Sequence, residues 1–137
     1  MQVMFDGENR TAASSSADDY ASVWLEVQVR RLSRLPAFAA AIPSVIAHGK
    51  AFAGMVRFGF DIDWERARFR TFGAFDTRES LQAYINDGAH GAVYRRLHGR
   101  LGDLRVTYGS IAAAELPTTW DDIPESRFAE SQAPLHN

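Results

Sequence analysis

Apolar and polar residues alternate between Ala21 and Leu32, with Val23, Leu25, Val27 and Val29 on one side and Trp24, Glu26, Gln28 and Arg30 on the other. A period of two is that of a strand with one dry face and one mixed face. The period then changes to that of a helix. Leu35, Phe38, Ile42, Val45 and Ile46 recur at helical spacing behind Ser33, whose hydroxyl can cap the first turn. Pro36 suits that turn, whereas Pro43 removes the hydrogen bond to Ala39 and is expected to kink or divide the helix. Gly49 is expected to end it.

A second alternation from Gly54 to Asp61 sets Val56, Phe58 and Phe60 against Met55, Arg57 and Gly59. The acidic turn DIDWE leads into a third strand, Arg66 to Phe75, so the pair reads as a hairpin. Thr77 caps a second helix that has Glu79 in its first turn and Leu81, Tyr84 and Ile85 on its apolar side. At Asp87-Gly88 this helix is expected to break and restart, with Val93, Leu97 and Leu101 continuing the stripe before a last strand from Leu104 to Ala114. The order β-α-β-β-α-β predicts an α+β, ferredoxin-like domain over residues 20–116, a four-stranded antiparallel sheet with both helices on one face.

The ends differ from this middle. Residues 1–19 carry a Ser/Ala/Asp-rich stretch without period and read as a flexible leader. Residues 117–137 contain three prolines, yet Trp120, Ile123 and Phe128 are costly to leave in water. The first half of this C-terminal arm is therefore expected to pack, on its own domain or on a partner subunit. Helices on one face leave the other sheet face to be covered, and four strands cannot close alone. The mixed face of the first strand is too apolar for open water and too polar for a dry core. Two such sheets face to face would cover both and enclose a partly polar cavity, which predicts a homodimer.

Composition narrows the function classes. The 137 residues include nine Phe and no Cys, which gives a chain able to bury a core and excludes disulfides, thiolate nucleophiles and thiolate metal sites. Neither a secretory signal nor an apolar run of the ~20 residues needed to cross a bilayer is present, so no membrane partner is expected and the cytoplasm is the default location. The net charge of −2 divides unevenly: one Arg against four acids in residues 1–20, the same in 117–137, and 13 basic against 9 acidic residues between. Acidic tails favour solubility, and the basic centre suits an anionic ligand. The basic residues form no dense stripe, which disfavours nucleic acid.

The chemistry-bearing stretch is AHGAVYRRLHGR, residues 89–100, where His90, Tyr94 and His98 recur every four positions along one side of a helix. His90 and His98 are two turns apart, roughly 12 Å, too far to share a metal ion, and no HExxH or acidic pair completes a site. No metal is expected. His90 can serve singly as a proton acceptor near neutral pH or as a haem ligand, or simply as a hydrogen-bonded residue at a helix start. Trp24, Arg57 or Phe58, Phe72 and Tyr108 occupy central strand positions, and some must line the face the helices leave open; an aromatic-lined cavity with a few polar groups is the usual small-molecule site. Core packing explains the same aromatics. Arg68 and Arg70 share a strand face with Phe72 and could hold an anion, or stand in solvent. Phosphate-loop, dinucleotide, nucleophile-elbow and calcium-loop patterns are all missing.

The segment FRTFGAFDTRESLQAYINDGAHGAVYRR, with Phe72, Phe75, Asp76, Leu81, Tyr84 and His90, resembles the third strand and second helix of the dimeric α/β-barrel superfamily, which includes antibiotic-biosynthesis-type monooxygenases. With the first strand and helix the resemblance spans about residues 20–115. It implies a homodimer with an internal cavity and, in catalytic members, oxygenation of aromatic, polyketide-like substrates without metal or flavin, or haem degradation. Such members commonly place an Asn on the first strand and a Trp near the site; here that strand carries Trp24 and Gln28 and no Asn. His90, aided by Tyr94, is then the expected proton acceptor, with Trp24, Gln28, Arg57, Phe58, Phe72 and Tyr108 around the substrate. Haem held by His90, resembling the helix His of haem-degrading members, and a non-catalytic small-molecule-binding dimer are the alternatives.

Overall fold

Cross-strand pairing organises the chain in its computed structural model, which describes residues 2–8, 18–30, 33, 35–86 and 102–123. The strands are β1 (Gln2–Asp6), β2 (Asp19–Val29), β3 (Met55–Asp63), β4 (Arg68–Phe75) and β5 (Gly102–Ala112), and the helices are α1 (Leu35–Ala51) and α2 (Arg78–Asn86). The sheet runs β1-β3-β4-β2-β5 with every neighbouring pair antiparallel. Without β1 this is the expected ferredoxin-like α+β order.

The sheet has five strands rather than four because residues 2–6, expected to belong to a flexible leader, pair with β3 from Gln2 opposite Asp61 to Asp6 opposite Arg57. Five residues hold too little local signal to announce a strand; the template edge of β3 supplies the order. The remaining differences are local. α1 is one helix through Pro43 and past Gly49 to Ala51. Its apolar side is held by the sheet beneath it, and packing of that kind outweighs one lost hydrogen bond. β5 stops at Ala112 and turns through a 3-10 helix, Ala113–Glu115, instead of continuing to Ala114.

The period of two in β2 and β4 sorts the core into two layers. On the helix side Val23, Val27, Val29, Phe58, Phe60, Ile62 and Phe75 pack with Leu81 and Tyr84 of α2, and with Ile42, Val45 and Ile46 of α1. Each such side chain, fully buried, contributes roughly 1.5–3 kcal/mol. A register shift between Met55 and Arg57 places Met55 in this layer and Val56 in the other. The second layer holds Tyr20, Trp24, Val56, Phe72, Ala74, Ile111 and Trp120, with Met4, Leu116 and Ile123 against it.

Close approach of β1 to β3 depends on Gly59. A Cβ there would stand 2.8 Å from both the Met4 sulfur and the Val3 carbonyl oxygen. Methionine can swing aside, but the carbonyl belongs to the ladder. Gly59→Ala should therefore cost about 1–3 kcal/mol, read as a lower urea midpoint with an unchanged slope.

Candidate functional site

The helix side contains an aromatic cluster built on Tyr84. Its ring lies 5.2 Å from Phe52, 5.2 Å from Phe75 and 6.0 Å from Phe58 between centroids, and His48 from the last turn of α1 stacks on it at 5.2 Å and 14°. Phe5 of β1 closes one side against Phe58 at 5.4 Å. Gly49 sits against this cluster, where a Cβ would touch the Phe5 ring and the Tyr84 hydroxyl at 3.4 Å.

Two polar groups enter this apolar cluster. Burial pushes the Tyr84 phenol far above its ordinary value, so it stays protonated at any physiological pH. The Nε2 of His48 is enclosed and has no hydrogen-bond partner. An enclosed nitrogen of this kind costs about 1–3 kcal/mol. Such groups in a native structure call for a role or a ligand. A neutral imidazole can accept a proton.

The opposite face is differently furnished. Trp24 and Phe72 lie 4.5 Å apart between centroids, and the two are 5% and 0% exposed. They are not bare, as the mixed face of β2 was expected to be: Leu116, Trp120 and Ile123 pack over their layer. The Trp120 Nε1 donates to the Val3 carbonyl at 2.9 Å, and Arg57 donates to the Pro117 carbonyl at 2.7 Å while pairing with Asp6. Ser22, wholly buried on this face, has a hydroxyl without a partner.

The residues expected around a substrate therefore divide. Trp24, Gln28, Arg57 and Phe72 share the face under the arm, but the Gln28 amide donates to the Arg66 and Ala67 carbonyls and pins the β3–β4 turn. Phe58 is 2% exposed in the helix-side core. Tyr108 pairs with Val23 and so shares the helix side, 40% exposed; partial burial raises its phenol. The strands bring no single cluster of all six together, because residues 58 and 108 take the opposite parity from 24 and 72. Arg70 is not a solvent-facing edge residue: β4 is an inner strand, and the guanidinium bonds Glu26 at 2.7 Å. His90, Tyr94 and His98 lie outside the described residues.

His48 was not singled out in the sequence, although one signal was there. It stands three residues after Val45 and four before Phe52, on the apolar stripe of its helix. Among the described residues no group of three or more His, Asp or Glu side chains could hold a metal ion. The expected haem ligand, His90, lies outside the described residues, among which His48 is the one histidine. No described helix is long and apolar enough to cross a membrane.

No protein-family profile matches the chain, and no curated protein matches it. Solved structures do. A Fusobacterium nucleatum protein named "Putative monooxygenase" superposes with a TM-score of 0.62 at 10% identity over 82% of this chain and 51% of its own. A Nitrosomonas europaea protein named "Putative antibiotic biosynthesis monooxygenase" gives 0.56 at 14% identity, covering 72% and 92%. This chain has the ferredoxin-like fold of these proteins. A second Nitrosomonas europaea protein, of unknown function, gives 0.58 at 18% identity over 74% of this chain and 97% of its own. The chain thus spans about half the length of the Fusobacterium protein and nearly all of the two from Nitrosomonas.

Burial of Tyr84 makes stability depend on alkaline pH. Its folded phenol is raised above the ordinary 10.0, so the unfolded chain releases that proton first, and the stabilisation present below pH 10 is lost as pH rises through the folded value. Tyr84→Phe should retain more of its melting temperature than the natural chain between about pH 9 and 11.5, measured by calorimetry with both proteins referenced to pH 8.

Proposed function

We propose that the chain is a cofactor-independent, monooxygenase-like enzyme for a small aromatic or polyketide-like substrate, acting as a homodimer. The observation that carries the reading is an enclosed, unpartnered imidazole nitrogen among packed aromatic rings, on a fold shared with proteins named as monooxygenases. In the Fusobacterium protein the half that this chain does not match is about as long as the half it does, which leaves room for a second such unit beside the first and supports pairing.

The chemistry asks little of the protein beyond a base and a dry pocket. An electron-rich CH2 between aromatic rings loses a proton to an imidazole, and the carbanion adds molecular oxygen. The resulting hydroperoxide then loses water to leave a carbonyl. One CH2 and one O2 give one C=O and one H2O, and the base ends as it began. Apolar walls keep bulk water away from the anion, and the protonated Tyr84 ring presents no competing charge. His90, with Tyr94 one turn on, is the proposed proton acceptor. His48 is the second imidazole able to serve.

Oxygen uptake with a panel of polycyclic phenols tests the proposal. His90→Ala should lower turnover by about 10²–10⁴-fold. Full turnover in that variant, with loss in His48→Gln, would move the base to His48. Full turnover in both would remove imidazole catalysis altogether.

A further inference from the structure

The arm and a second sheet cannot both lie on the Trp24–Phe72 face. Sheets stacked face to face sit about 10 Å apart, a gap filled by their own side chains. In this structure a stretch of backbone, with Pro117 and Trp120 buried, lies in that layer instead.

We propose that residues 116–123 are a strap that competes with a second copy of this chain for the Trp24–Phe72 face, so that two copies pair only when the strap lets go. This rests on the homodimer reading above. Three observations point to it. The strap is joined to β5 by a short 3-10 turn, Ala113–Glu115, and it meets the sheet through side-chain hydrogen bonds that single substitutions remove, from Trp120 to the Val3 carbonyl and from Arg57 to the Pro117 carbonyl. On the face that the strap covers, the Ser22 hydroxyl is buried without a partner. The third is the charge pattern next to it.

Across the sheet, register aligns Arg105, Glu26, Arg70 and Asp61 in one row on this face, with signs alternating from strand to strand. A two-fold axis along the strands, between β2 and β4, maps that row onto its complement. Glu26 then faces the partner's Arg70 and Arg105 faces the partner's Asp61, while Trp24 covers the partner's Phe72 in the adjoining row. A linked set of charges specifies a partner and a register better than one isolated pair does.

Population arithmetic gives the test. If the pairing-competent form is a minor one, weakening the strap tightens the dimer by the square of the factor by which that form's share rises, because both copies must be free. Sedimentation equilibrium should show the dimer dissociation constant of full-length Trp120→Ala, and of Arg57→Met, falling by about tenfold or more relative to the natural chain. An unchanged or weaker constant in folded variants overturns the strap while leaving the dimer standing. Monomers throughout, up to roughly 100 µM, would overturn the homodimer reading itself. The register is tested by mixing a Trp120→Ala chain with one that also carries Glu26→Arg and Arg70→Glu, which keeps its own internal pair. Native mass spectrometry should find mixed dimers well below the statistical half, and a statistical share overturns the proposed facing of Glu26 and Arg70.

Discussion

The pairing of β2 with β4 is the constraint on which the rest of the structure depends. Val23 faces Gly73, Trp24 faces Phe72 and Glu26 faces Arg70. Because side chains alternate strictly, this register decides at once which residues meet the helices and which meet the arm. A slip of one residue would send Trp24 and Glu26 under the helices and Val23 and Val27 to the other side. Gly73 helps to set the register: a side chain there would press within 3.0 Å of Phe75 and 3.2 Å of Val23.

Beneath the helices the same parity concentrates aromatic rings around Tyr84, and the contacts are mostly tilted or edge-on, as ring quadrupoles prefer. Into that layer the chain places one imidazole and one phenol. Leucine and phenylalanine would pack there without any cost in unsatisfied polar atoms. A cluster that keeps a histidine nitrogen enclosed and unpartnered is better suited to accepting a proton than to maximising stability.

On the far face the two ends of the chain hold each other. β1 supplies the Val3 carbonyl for Trp120, and Asp6 steadies the Arg57 that grips Pro117. Loosening either segment loosens the cover over Trp24 and Phe72.

The alternations at 21–32 and 54–61, the helical stripe from Leu35 and the turn after Asp61 follow from local periodicity, and so the double β-α-β plan was legible in the chain itself. The resemblance carried by Phe72, Phe75, Asp76, Leu81 and Tyr84 pointed to the right fold for the same reason. What periodicity does not contain is parity between distant strands, and this is why Phe58 and Tyr108 were grouped with Trp24 although they face away from it. Nor does it contain what borrows order from elsewhere. Residues 2–6 become a strand only against β3, Pro43 is carried within a helix only because the sheet supports it, and Trp120 finds its site only when Val3 and Phe72 are already in place. Local sequence determined the elements and their order; long-range pairing and burial, which no short window records, decided which side chains share a face and what covers them.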